Sequence, residues 1–200
     1  SRTSLSLSHG PDGFPAISYC DKDLQKLKFA QFDGLSWQIN TVDSGTSCSQ
    51  YTALRHDANG NPAIAYGDND NFNLKYATHD GSQWHVQTID PLDDVTPPQW
   101  AGNSVFSISL SFDPDGNPAI VYCIPSQSGW QQKFAVYDGE TWQTQIVDSY
   151  KVSGGAIFFG GPGNSISHSP NGQPAIAYVR ADPEVENQDL NELAFATYDP

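Results

Sequence analysis

Methionine is absent from the 200 residues, cysteine occurs only three times, and nine Lys or Arg stand against 23 Asp or Glu. Each shortage excludes something. A formal net charge of -14 with scattered cations leaves no basic stripe to neutralise phosphates, so nucleic acid is not an expected partner. The same field disfavours an anionic membrane surface. No apolar run approaches the roughly 20 residues of a spanning helix, so no membrane insertion is expected. Cys20, Cys48 and Cys123 are too few for a disulfide scaffold and lack the paired spacing of a zinc site. A chain that begins at Ser1 fits either a removed leader or a start inside a longer gene. Low Lys with many Asn, Ser and Gly points to a secreted, extracellular protein.

What the sequence has is a repeat. Pro15-Ala16-Ile17-Ser18-Tyr19 returns as Pro62-Ala63-Ile64-Ala65-Tyr66, Pro118-Ala119-Ile120-Val121-Tyr122 and Pro174-Ala175-Ile176-Ala177-Tyr178, at spacings of 47, 56 and 56 residues. Before each copy lies a turn ending in Gly13, Gly60, Gly116 or Gly172, where Asp-Gly or Asn-Gly supplies the positive φ of a tight hairpin. After it comes a second phrase: Leu27-Lys28-Phe29-Ala30, Leu74-Lys75-Tyr76-Ala77, Lys133-Phe134-Ala135 and Leu193-Ala194-Phe195-Ala196. In three copies a further turn leads to a tryptophan and a last β-rich run, Trp37 to Asp43, Trp84 to Asp90 and Trp142 to Asp148. Each repeat therefore reads as four short antiparallel strands, and no window carries a sustained helical period.

Four-stranded units in tandem bury both faces by stacking on one another, which predicts an all-β chain, a β-propeller of four-stranded antiparallel blades. A β-sandwich has no reason to repeat one hairpin phrase. The expected blades are 4–43, 51–90, 104–148 and 164–199 within one domain of residues 1–200. The fourth blade stops at Tyr198-Asp199-Pro200, before its last strand, giving fifteen of sixteen strands. The open edge is an invitation to pair, so a four-bladed ring, a piece of a larger propeller and a homo-oligomer completed through that edge all stay open.

The pattern Asp/Asn-Gly-x-Pro-x-Ile-x-Tyr, followed by Leu-Lys-Tyr-Ala-x-x-Asp-Gly-x-x-Trp, resembles the repeats of secreted bacterial and archaeal propeller proteins, in the style of sialidase-like and lectin propellers. The resemblance covers nearly the whole chain and implies a multi-bladed propeller. The Ser-x-Asp-x-Gly-x-Thr-Trp box of sialidases and the calcium loops of integrin-type blades are absent, so it carries over neither catalytic nor calcium residues.

Candidate sites follow from the alignment of repeats. His9, His56 and His168 share one position on the first strands, with Phe112 in the third repeat, and three imidazoles near a channel mouth suit a divalent metal. The competing reading is a hydrogen bond to turn backbone, and no other cofactor is expected. One residue earlier, Arg55 stands among Ser8, Ser111 and Ser167, offering a cation to an anionic ligand or to a neighbouring acid. The variable loops carry Asp21, Asp23, Asp68, Asp70, Asp182, Glu184 and Glu186 together with Trp100, Trp130, Tyr150, Phe158 and Phe159. Rings beside carboxylates hold sugars by stacking and hydroxyl hydrogen bonds, which nominates Arg55, Asp68, Asp70, Trp100, Trp130 and Tyr150 as ligand-binding. The repeated Tyr and Trp positions instead read as packing between blades, and Cys20 with Cys48 is the one pairing worth considering. The expected function is a non-catalytic module that recognises glycan on its loop face. The alternatives are a structural or protein-interaction propeller and a glycosidase-like enzyme with paired carboxylates.

Overall fold

The computed structural model describes residues 5–21, 23–45, 47–92, 104–127, 129–151, 163–181 and 191–198, and every regular element in them is a β-strand. The first blade contains β1 (Leu5–His9), β2 (Pro15–Asp21), β3 (Lys26–Phe32) and β4 (Trp37–Asp43). The second contains β5 (Cys48–His56), β6 (Pro62–Asp68), β7 (Asn73–His79) and β8 (Trp84–Pro91). The third contains β9 (Phe106–Phe112), β10 (Pro118–Ser126), β11 (Gly129–Tyr137) and β12 (Trp142–Lys151). The fourth has three strands among the described residues, β13 (Asn164–His168), β14 (Pro174–Ala181) and β15 (Asn191–Thr197). Each blade is an antiparallel meander whose strands pair in chain order.

Local chemistry sets the meander. The glycine closing each first hairpin sits at φ between 79° and 88°, in the left-handed region that side chains avoid. At the hairpin between third and fourth strands an aspartate does the work: Asp33, Asp80 and Asp138 each accept the backbone amides two and three residues ahead. Asp33, held by the Ser36 amide first and then by Gln38 and the Leu35 amide, is drawn down to about 2. The innermost strands β1, β5, β9 and β13 lie side by side in that order, so the blades stack as an arc around them.

The core lies in the three gaps between blades. In the first, Ala16, Leu27 and Phe29 meet Leu54, Ile64 and Tyr66, with Trp84 against the Phe29 ring at 5.2 Å. In the second, Leu74 and Tyr76 meet Leu110, Ile120 and Tyr122, with Trp142 against Tyr76 at 5.2 Å. In the third, Ala119 and Phe134 meet Ile166, Ile176 and Tyr178. Of the repeated aromatics, Tyr66, Tyr122 and Tyr178 pack against the preceding blade, as do Trp84 and Trp142, whereas Trp37 is 44% exposed.

A carboxylate clasps every gap. Asp43, ending β4, accepts the Tyr66 hydroxyl at 2.6 Å and the Lys75 ammonium at 3.1 Å. Asp90, the penultimate residue of β8, accepts Tyr122 and Lys133. Asp148 accepts Tyr178 at 2.9 Å and Arg180 at 3.2 Å. In the fourth blade Ala194 pairs with Tyr178 where Lys75 and Lys133 pair with Tyr66 and Tyr122, and Arg180 supplies the missing cation. Although burial opposes it, the Tyr66, Gly45 and Lys75 donors hold the Asp43 carboxyl below its ordinary value. The first gap is also stapled by a disulfide between Cys20 and Cys48, whose Cα atoms lie 5.9 Å apart. Cys123 is buried, and burial pushes its thiol well up, so it stays protonated and inert.

Two outcomes follow. Asp90→Ala leaves the Lys133 ammonium, nearly buried, without its counter-charge and costs about 3–5 kcal/mol, read from the urea midpoint; Asp90→Ala with Lys133→Met recovers a large part of it. Reduction, or Cys20→Ser with Cys48→Ser, frees a closure of 28 residues and costs about 3–4 kcal/mol on the chain-entropy account, read from the same midpoint against the oxidised protein.

Candidate functional site between the second and third blades

The three gaps share one plan, and the second departs from it. At the tight first turn, blade 1 carries Pro11, blade 3 Pro114 and blade 4 Pro170, whereas blade 2 carries Ala58. The prolines lean on the next blade's turn glycine: a Cβ placed on Gly60 would stand 2.5 Å from Pro11, and one on Gly172 would stand 3.6 Å from Pro114. A Cβ on Gly116, facing the Ala58 turn, would meet nothing within 4 Å. With no proline to plug it, this gap opens into a cavity of about 390 Å³ at the tight-turn end of the blades.

Aromatic and polar groups line it together. Trp142, Tyr137 and Phe112 come from blade 3, and Tyr76 with Asp57, Asn61, Thr78, Asp80 and Gln87 from blade 2. Asp57 is set by its own turn, accepting the Asn59 and Asn61 amides and the Asn61 side chain. The Asp80 carboxyl is held well below its usual range by His85 first, and then by Ser82 and Gln83, so it is an anion at any ordinary pH. Tyr76 is a tyrosine where the other blades have Phe29, Phe134 and Phe195. Its hydroxyl has no hydrogen-bond partner among the described residues, and burial, then the nearby Asp57, raises it, so it stays a neutral donor. The indole N–H of Trp142 is likewise buried without a partner among the described residues. Unspent donors beside ring faces and fixed carboxylates suit a polyhydroxylated ligand.

The histidines have another role. The Ser8 hydroxyl and His56 Nδ1 lie 3.0 Å apart across the first gap, and Ser111 and His168 Nδ1 lie 3.0 Å apart across the third. In the second gap the same two positions are Arg55 and Phe112, so the link is absent there too. No group of three metal-ligating side chains converges among the described residues, and His9, His56 and His168 are not gathered around one point. Arg55 is exposed and donates to the Leu54 carbonyl of its own strand.

The loop-face residues fall differently from the expectation. Trp130 is 1% exposed and packs edge-on against Phe106, and Tyr150 is buried beside Cys123 and the Val179 carbonyl, so neither offers a ring face to a sugar. Asp68 is buried, accepting the Asp70 and Asn71 amides with Lys75 at 3.5 Å. Asp70 is exposed and accepts the Ser47 amide. Trp100, Phe158, Phe159, Asp182, Glu184 and Glu186 lie outside the described residues. The signal for the cavity was in the repeat alignment, as an alanine among prolines and a tyrosine among phenylalanines.

No protein-family model and no curated protein matches the chain. Solved structures do. A mutant of AofleA from Arthrobotrys oligospora superposes with a TM-score of 0.61 at 16% identity, covering 98% of this chain and 53% of that one. A Hadza microbial sialidase gives 0.60 at 12%, covering 98% and 44%. Aleuria aurantia lectin, solved with Fucα1-6GlcNAc, gives 0.50 at 15%, covering 98% and 75%. The chain has the β-propeller fold. It spans about half the length of AofleA and less than half of the sialidase, and at these identities the likeness is one of fold.

One pH effect follows from the histidines. Burial, opposed by the fields of Asp12 and Asp57, lowers His56, and burial opposed by Asp113 lowers His168. Lowered values mean that the unfolded chain binds more protons just below the ordinary imidazole range, so stability is full above it and falls as pH drops from about 7 towards 5. Phenylalanine already fills this position as Phe112, so a His56→Phe, His168→Phe variant folds and has a flatter Tm profile across that window, read by thermal melts at constant ionic strength.

Proposed function

We propose that this propeller is a non-catalytic carbohydrate-binding module whose saccharide seats in the cavity between the second and third blades. The observation that carries the reading is the pairing of ring faces, Trp142 and Tyr137, with fixed acceptors and an unspent tyrosine hydroxyl in the one gap that lacks its proline. The rings cover the apolar C–H face of a sugar, Asp57 and Asp80 accept from its hydroxyls, and the Tyr76 hydroxyl donates. The solved lectin complex with a fucosylated disaccharide supports the ligand class on the same fold. A hydrolase of the sialidase kind is the weaker reading, since acid-sugar recognition rests on arginine forks and no arginine lines this cavity among the described residues. The disulfide supports an oxidising compartment, as expected for a secreted protein.

The repeat provides its own controls. Proline and phenylalanine occupy the equivalent positions in other blades, so Ala58→Pro and Tyr76→Phe keep the fold while changing only the cavity. A glycan array followed by calorimetry should show binding to a defined set of saccharides, lost at least tenfold in Ala58→Pro and weakened about five- to tenfold in Tyr76→Phe, the value of one hydrogen bond. Binding that survives Ala58→Pro unchanged places the sugar elsewhere, and an array without signal removes the reading.

A further inference from the structure

Each carboxylate that clasps a gap has its own cation: Asp43 has Lys75, Asp90 has Lys133 and Asp148 has Arg180. Asp57, in the wall of the second gap's cavity, has no cationic side chain in ion-pair reach among the described residues, and its three donors are neutral amides. His56 beside it supplies no counter-charge, because burial lowers it and leaves the imidazole neutral at pH 7. The cavity's other carboxylate, Asp80, meets only His85, and no Lys or Arg lines the space among the described residues. Opposite stand the rings of Trp142, Tyr137 and Phe112. Tyr76 is 4% exposed, lines the same space, and keeps an oxygen with no hydrogen-bond partner among the described residues.

We propose that the saccharide taken by this cavity carries a free amine, whose ammonium sits between Asp57 and the ring faces. The inference rests on the carbohydrate-binding reading above and names the ligand class within it. A ligand entering the cavity strips water from an anion that the protein has left without a counter-charge. A sugar hydroxyl returns a neutral hydrogen bond to that anion, whereas an ammonium returns the missing charge and the hydrogen bond together. The ring faces present negative π-density and favour the same cation. The ammonium brings three donors and no acceptor, which matches a carboxylate and the free lone pairs of the Tyr76 oxygen. An acidic sugar meets two carboxylates and is repelled.

Calorimetry at about pH 6.5, below the range of an α-amino group, compares the methyl glycosides of glucosamine, galactosamine and mannosamine with the parent hexosides and with the N-acetyl derivatives. At least one amine should bind about tenfold more tightly than both of its neutral counterparts, the gain of a charge-assisted over a neutral hydrogen bond, and raised salt should shrink that excess. Ser169 holds the Asp57 position in the fourth blade, and its hydroxyl accepts the Gln173 amide as Asp57 accepts that of Asn61, so Asp57→Ser keeps the turn. That variant should bind the amine and its neutral counterparts within about twofold of one another. Neutral hexosides bound as tightly as their amines in the wild type overturn this inference and leave the carbohydrate-binding reading standing. A wild type that binds no saccharide of either kind removes that reading and this one with it. An amine preference that persists in Asp57→Ser is attraction to the acidic chain at large and overturns the assignment to Asp57.

Discussion

The blade seam is governed by a carboxylate. Stacked sheets with apolar faces can slide, because area burial is indifferent to direction. An aspartate in the last part of one blade's fourth strand, receiving a tyrosine hydroxyl and a cation from the next blade, fixes both the height and the rotation of the stack. Asp43, Asp90 and Asp148 sit at the rim of the apolar contact, where the anion is partly shielded and still fully paired. The apolar gaps supply attraction, and the clasps supply register. The turns, the aromatics and the order of strands all make sense as ways of delivering those three carboxylates to their partners.

A repeat that satisfies itself everywhere has nowhere to bind. The second gap shows how one blade pair is released from that constraint while the stack survives. Its Asp90 clasp and its apolar cluster are intact, and only the tight-turn end changes. There a proline becomes Ala58, a phenylalanine becomes Tyr76, and a serine–histidine link becomes Arg55 and Phe112. The loss of the proline frees volume at one end of one gap, and Tyr76 and Phe112 change what lines it, without touching the seam below.

Most of the architecture was legible because its period is local. Pro-x-Ile-x-Tyr, the Asp-Gly turns and the tryptophans lie within strands and hairpins, so single windows of sequence carry them. The clasps were not legible for the opposite reason: Asp43 meets Tyr66 and Lys75, 23 and 32 residues away, and nothing near Asp43 marks it as more than the end of a strand. Trp130 and Tyr150 misled because they fall in a long insertion, yet that insertion extends β10, β11 and β12 and buries both rings within the blade. The cavity was written in substitutions between repeats, which gain meaning only once the turn of one blade is known to face the turn glycine of the next.

The disulfide lies in the first gap alone, and the third gap is clasped by a partly exposed arginine in place of a lysine. In an array where each unit touches only its neighbours, such differences make the gaps unequal in cohesion: the first is held covalently, and the third by a cation that water partly screens. Among the three gaps the first is then expected to open last, as the bound part of a rope is the last to fray. The second gap, with its cavity, lies between the covalently held gap and the arginine-clasped one.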